Sequence, residues 1–338
     1  MRTFFVTGGA GFIGSALARV LLDTYSEAEI VNFDALTYAG NLDNLRDLGE
    51  RHRFIQGDIA DAEAVRQALP EKVSAIFHLA AETHVDRSIR DPAPFIRANV
   101  LGTQVLLDVA RERGAQRFVH VSTDEVLGSL SLDAAPLTEN APFAPNNPYS
   151  ATKAAAEHLV RAAVVTHGLD AVITRCGNNY GPRQFPEKFI PLCLANALAN
   201  QTLPVYGDGM YWRDWIYVED HARALIAAYE HGKSGRVYHV GSRQEQANLH
   251  ALHDLLDKLG KPRSLLRHVT DRPGHDKRYS LDPTTIENET GWRPQVLWDE
   301  GLARTIRWYA ENPAWLERVR SGAYRDYYRQ QYGAEVSA

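Results

Sequence analysis

The chain has 338 residues, 44% of them hydrophobic, and a formal net charge of −5. That length allows a large core and more than one domain, while the acid excess excludes a general attraction to nucleic acid or an anionic membrane. No apolar run nears the roughly 18 residues of a membrane span, and two cysteines, Cys176 and Cys193, exclude a disulfide framework and fit a reducing cytoplasm.

Met1-Arg-Thr leads directly into a β-forming run, Thr3-Phe-Phe-Val-Thr7, so no signal peptide is expected. Gly8-Gly-Ala-Gly-Phe-Ile-Gly14 follows, then a helix pattern over Ser15–Leu22. Gly9, Gly11 and Gly14 match the dinucleotide fingerprint, and Gly8, Gly11 and Gly14 match a second three-residue spacing. Glycine serves the tight turn and the close approach of backbone to a pyrophosphate, and the helix N-terminus, with Phe12 and Ile13, faces the phosphates. A second strand, Glu29–Phe33, ends in Asp34, where a carboxylate meets the ribose 2′-hydroxyl. Thr37 lies just beyond, with no arginine nearby to accept a 2′-phosphate, so NAD is expected over NADP. Asp58 and Ile59 follow a short strand, Arg53–Ile55, and are placed to meet the adenine. Ala80 ends a fourth strand, 75–81, whose small residues let the cofactor approach.

Helices are predicted at about 60–69, 92–114 and 148–166, and further strands at 117–122 and 169–175. This alternation predicts an α/β fold, a doubly wound parallel sheet of Rossmann type over 1–177. From 178 the pattern breaks into loop, a helix over 189–199, a short strand at 204–206, and shorter pieces with Pro and Gly joints. Residues 178–338 are expected to form a smaller α/β substrate region. A strand at 214–218, returning to the main sheet, and a helix at 218–230 are expected to cross back to the first domain. The polar tail 325–338 is expected to fray.

Two segments carry the chemistry. Tyr149 and Lys153 are four apart at the start of a helix, hence on one face. A tyrosine is a poor base at neutral pH, and a neighbouring ammonium and a positive nicotinamide are expected to favour its phenolate. Such a pair also occurs as an ordinary exposed feature of amphipathic helices; the dinucleotide context argues for function here. Thr123, Asp124 and Glu125 end the fifth strand, at the edge where a parallel sheet binds ligands. Adjacent carboxyls in unlike surroundings can divide into a protonated acid and an ionised base; a solvated loop or helix cap is the plainer alternative. No metal is called for.

The chain resembles the extended short-chain dehydrogenases/reductases, and among them the dTDP-glucose 4,6-dehydratases. The likeness covers nearly the whole chain and rests on Val6–Gly14, Leu36–Leu42, Ala80–Ser88, Ser122–Glu125, Tyr149–Lys153, Asn178–Pro182, Phe185–Lys188, Arg213–Trp215 and Asp271–Asp276. It implies a nucleotide-sugar substrate and a three-step reaction. Tyr149 takes the 4-hydroxyl proton while C4 gives a hydride to NAD, with Thr123 on the 4-oxygen. Glu125 then takes the C5 proton as protonated Asp124 donates to the leaving 6-hydroxyl. The hydride returns to C6, leaving a 4-keto-6-deoxy sugar. The resemblance assigns substrate contacts to His84, Asn178, Lys188, Pro204, Tyr206, Arg213, Asn248, Arg272 and His275, and Lys153 also to the nicotinamide ribose. It implies a homodimer through the helices at 92–114 and 148–166, both richer in apolar and small residues than a one-sided helix needs. Leu127 stands where the family carries Tyr. A UDP-sugar 4,6-dehydratase and a nucleotide-sugar 4-epimerase remain open, the latter needing no carboxyl pair; a cofactor-sensing scaffold without catalysis is the non-enzyme alternative.

Overall fold

The computed structural model describes residues 2–271 and 275–320. In chain order its strands are β1 (Thr3–Thr7), β2 (Glu29–Asp34), β3 (His52–Gln56), β4 (Ala75–His78), β5 (Phe118–Thr123), β6 (Ala171–Cys176), β7 (Asn178–Tyr180), β8 (Leu203–Tyr206), β9 (Trp212–Tyr217), β10 (Val237–Val240), β11 (Glu245–Ala247) and β12 (Leu266–Val269). Its helices are α1 (Phe12–Thr24), α2 (Ala62–Ala68), α3 (Val85–Arg90), α4 (Ala93–Phe95), α5 (Thr103–Glu112), α6 (Pro148–His167), α7 (Phe189–Leu198), α8 (Val218–His231), α9 (Asn248–Leu259), α10 (Thr284–Thr290), α11 (Trp298–Glu311) and α12 (Pro313–Val319). None of the described helices is long and apolar enough to cross a membrane.

Seven strands form one sheet in the order β10-β6-β5-β4-β1-β2-β3, and every pair in it is parallel. Strands covered on both faces are largely apolar, and β4, β5 and β6 are buried along their full length. Alternation sends Phe4 and Val6 of β1 into one core with Leu17 of α1 and Leu225 of α8, and Phe5 into the other with Val65 of α2, Leu106 of α5 and Val160 of α6. Each such side chain stabilises by about 1.5–3 kcal/mol. The chain runs from β1 outward to β3, then returns to the other side of β1 as β4. That reversal opens a crevice beyond the carboxyl ends of β1 and β4, where such sheets bind ligands.

A third core gathers Tyr180, Trp215, Leu252, Trp298, Leu302 and Trp315 under a three-stranded sheet, β11-β9-β7. Here the sequence reading needs correction. The strand expected to rejoin the main sheet is β9, but it pairs with β7 and β11 instead. The buried Asp214 carboxylate of β9 accepts from the Ser242 hydroxyl and from the N–H groups of Ser242 and Gln244, which ties the strand to that side. The strand that rejoins the main sheet is β10, beside β6. The stretch 178–183, read as loop, contains β7. The helix read over 92–114 is broken: α4 passes into a π-helical stretch, Ile96–Gly102, before α5. Asn99 of that stretch accepts from Glu82 N–H and donates to the Glu82 carbonyl and to Thr152. Widened turns of this kind gather at functional sites.

Candidate active site

The glycine turn after β1 closes against the end of β4. Gly8 has φ +69°, and a Cβ there would lie 2.8 Å from the Ala80 nitrogen. A Cβ on Gly14 would lie 2.2 Å from the Gly8 carbonyl oxygen. Glycine is therefore obligatory at both. Between the two spacings left open by sequence, Gly8, Gly11 and Gly14 line the cavity, while Gly9 packs on Asn32 of β2. Asp34 accepts from Ala10 N–H (3.0 Å) and Leu36 N–H (2.8 Å), and Leu36 takes φ 52°, sparsely populated for a side-chain-bearing residue. Burial raises the Asp34 carboxyl above its ordinary value, and those two N–H bonds oppose the rise.

A cavity of about 510 Å³ runs from this turn to the end of β5. Phe12, Ile13, Thr37, Asp58, Ile59 and Ala80 line it with the three glycines and Asp34; so do Thr123, Asp124, Glu125, Tyr149 and Lys153. The residues present fit a dinucleotide: a cradle in which Cβ atoms would clash, a helix N-terminus, and a carboxylate at the end of β2. Arg97, the guanidinium on this lining, pairs with Asp58 at 2.8 Å.

At the far end, Thr123 opens a short 3-10 turn, Asp124–Leu127. Its hydroxyl accepts from Glu125 N–H (3.3 Å) and donates to Asp124 Oδ1 (3.1 Å). Asp124 Oδ2 is buried with no hydrogen-bond partner among the described residues. Burial, then the Glu125 charge, pushes the Asp124 carboxyl up to about 8 against the Thr123 bond and Arg213. Glu125 Oε2 accepts from Asn147 Nδ2 at 3.4 Å. Asn147 and Ser150 form a capping box that starts α6 and sets Tyr149 in its first turn.

Burial dominates the protonation of the Tyr149 phenol. Burial holds the phenol well above its ordinary value, Glu125 and Cys176 add to this, and a Thr123 hydrogen bond opposes it; Lys153 is not among the main influences. The Lys153 ammonium instead donates to the Val121 carbonyl at 2.7 Å. Burial lowers it to about 8, against the pull of Glu157. Desolvation outweighs one buried cation acting on one buried phenol. Cys176 also lines the cavity, with a thiol pushed up to about 12 by burial and hence unreactive.

A smaller cavity of about 170 Å³ adjoins, sharing Glu125, Asn178 and Lys188 with the first. His84, Pro204, Tyr206, Arg213 and His275 complete the set of sequence-chosen residues there. Lys188 donates to the Thr83 carbonyl (3.0 Å), Arg213 to those of Trp212 and Asp276, and the His275 ring stacks on Tyr211 at 3.6 Å. Asn248 is placed elsewhere: it starts α9, its N–H donates to the Tyr211 carbonyl, and it lines neither cavity. Arg272 lies outside the described residues. Leu127 points into a small apolar cluster with Val126, Ala154 and Leu281 and lines neither cavity.

Sequence reasoning missed Glu187. It lines both cavities, 3.8 Å from His84 Nε2 and from Arg87 Nη2, and burial pushes its carboxyl up to about 7 against Lys188 and Arg87. The signal was present in Phe185-Pro-Glu-Lys188, from which only the lysine was taken. Asn147 was also missed, and its place just before Pro148 and Tyr149 was the available cue.

The family model for GDP-mannose 4,6 dehydratase matches residues 5–305. The dTDP-glucose 4,6-dehydratase of Shigella flexneri is 46% identical over 354 residues, covering 97% of this chain and 98% of that one. Among solved structures, DesIV of Streptomyces venezuelae, a dTDP-glucose 4,6-dehydratase solved with NAD bound, superposes with a TM-score of 0.90 at 49% identity, covering 94% and 99% of the two chains. The UDP-glucose 4-epimerase of Thermotoga maritima superposes at 0.86 with 28% identity, covering 92% and 99%. The chain belongs to the GDP-mannose 4,6 dehydratase family, in company with the dTDP-glucose 4,6-dehydratases.

Proposed function

We propose that this protein is an NAD-dependent hydro-lyase that converts dTDP-glucose to dTDP-4-keto-6-deoxyglucose. The observation that carries the reading is Asp124: a carboxyl held protonated up to about pH 8, beside Glu125, in the cavity that holds the glycine turn. A 4-epimerase has no step that needs a protonated acid beside a base.

Gly8, Gly11, Gly14, Asp34, Thr37, Asp58, Ile59, Ala80 and Lys153 hold the cofactor. When bound, NAD would supply the acceptor for the C4 hydride and the donor that returns it to C6, and, oxidised, a positive charge that opposes the burial of Tyr149. Tyr149 takes the proton of the sugar 4-hydroxyl, and Thr123 holds the 4-oxygen. The resulting ketone acidifies C5–H. Glu125 takes that proton, and Asp124 gives its own to the departing 6-oxygen, which leaves as water. Glu125 then returns a proton to C5. Lys188 and Arg213 are cations suited to the diphosphate, and Glu187, among His84, Arg87 and Lys188, faces the sugar side.

Residues 1–177 are read as the cofactor-binding part and 178–338 as the substrate-binding part, with α8 packed on the first. Exposed Ile96, Leu101 and Val165 lie along the helical segment 96–112 and α6 and favour a homodimer through that face. Light scattering should give twice the 37.8 kDa of one chain; a mass of one chain removes the dimer. Two buried free thiols, Cys176 and Cys193, fit a cytoplasmic enzyme.

The deciding experiment incubates the purified protein with dTDP-glucose and, in parallel, UDP-glucose, and follows the base-absorbing 4-keto product. Faster turnover of dTDP-glucose supports the reading. Preference for UDP-glucose moves the assignment to a UDP-sugar dehydratase, and formation of a 4-epimer without a keto product overturns dehydration.

A further inference from the structure

The glycine turn is held from a distance. Ala10, at its centre, is fully buried. Its N–H donates to Asp34, and its carbonyl accepts from Asn44 Nδ2 at 2.9 Å and from Asn41 N–H at 3.1 Å. Asn44, only 1% exposed, sits in the short 3-10 turn Leu42–Leu45. Its Oδ1 accepts from the Trp315 indole at 3.0 Å, 271 residues along the chain. Trp315 belongs to α12, and its ring packs in the substrate-side core against Trp308 (5.1 Å) and Tyr309 (5.9 Å). A line of contacts thus runs Trp315, Asn44, Ala10, Asp34. The middle position must accept at one end and donate at the other, which a carboxamide does. Ion pairs flank it, among them Arg318 with Asp43 at 2.6 Å and Arg183 with Asp47 at 2.9 Å. Neither Asn44 nor Trp315 lines the cavity.

We infer that Asn44 and Trp315 are positioning residues for cofactor retention: α12 straps the turn Leu42–Leu45 onto the glycine turn, and the strap sets how fast NAD leaves. The inference rests on the reading of the large cavity as the NAD site. Its chemical sense follows from the cycle, in which the same cofactor must be present at the oxidation of C4 and at the reduction of C6. Loss between the two steps strands an oxidised sugar.

The test uses the full chain with Trp315→Phe, which keeps a ring in the core and removes the N–H, and Asn44→Ala. Release of NAD from the purified holoprotein is timed after dilution into a trap. Loss of one buried hydrogen bond predicts release about 5- to 30-fold faster. The NAD concentration for half-saturation should rise in step, while kcat at saturating NAD falls less. If Asn44→Ala does not fold, Trp315→Phe alone decides. Release within about twofold of wild type, or kcat and NAD affinity falling together, overturns the strap. Wild type that binds no NAD overturns the cofactor reading instead, so the two failures are distinguishable.

Discussion

Replacing Asp124 by Asn removes one acidic proton at nearly constant volume. Asp124 is 5% exposed, and its neutral carboxyl has one oxygen on Thr123 and one without a partner among the described residues. Below about pH 4 the group is neutral in the folded and unfolded forms of both proteins, and their stabilities should agree within about 1 kcal/mol. They should then diverge. The folded value is raised from 3.8 to about 8, so the folded chain holds a proton that the unfolded chain releases. Stability of wild type from this group is fully present below about pH 4 and is lost as pH rises through about 8. At about 1.4 kcal/mol per pH unit, the loss accumulates to on the order of 5 kcal/mol. The Asn variant has nothing to titrate, so it should be the more stable protein at pH 8. Its dehydration should nonetheless fall by about 10²–10⁴-fold, the usual worth of a general acid. Wild-type turnover should drop above about pH 8 with the loss of one proton. Urea unfolding at pH 5 and pH 8 reads the first effect, and the 4-keto product assay the second. Equal stability differences at both pH values would refute the desolvated acid. Turnover within about tenfold of wild type would refute its catalytic role.

Glu125→Gln cannot take the C5 proton, so reduced cofactor should accumulate on mixing with substrate while solvent deuterium fails to enter C5; exchange at the wild-type rate removes Glu125 from the base role. Tyr149→Phe should lower turnover by about 10²–10⁴-fold with NAD still bound, as measured by absorbance of the purified protein, because Asp34 and the glycine turn are untouched. Near-normal turnover there excludes Tyr149 as the base. Gly14→Ala places a methyl 2.2 Å from the Gly8 carbonyl oxygen and should abolish NAD binding by calorimetry, and unchanged affinity would show that the turn does not cradle the cofactor.

Much of the site was legible before any coordinates. The glycine turn, Asp34 and the strand–turn–helix order are consequences of local backbone demands. Tyr149 and Lys153 share a face because of helical period alone. The carboxyl pair was legible by its position at a strand end. What the chain could not announce is environment. The Tyr–Lys pair was legible, but neither the burial that dominates the phenol nor the Val121 carbonyl that Lys153 meets could be read locally. Glu187 stood beside a residue already chosen and was passed over, because nothing local distinguishes a buried acid from a solvated one. The strand 214–218 had the right pattern and the wrong sheet.

By itself the sequence determined most of the strands and helices of the first 177 residues, where the cofactor turn lies, and which side chains have the chemistry to oxidise, deprotonate and protonate a sugar. Those follow from residue types, φ/ψ preferences and periods of 2 and 3.6. The tertiary structure decided that β10 rather than β9 joins the main sheet, that Asp124 keeps its proton near neutral pH, and that a tryptophan on α12 reaches the turn beside Ala10. Each of these depends on how much water is removed from a group and on which distant segment removes it. Desolvation and long-range contact are sums over the whole packed chain, and no window of sequence contains them.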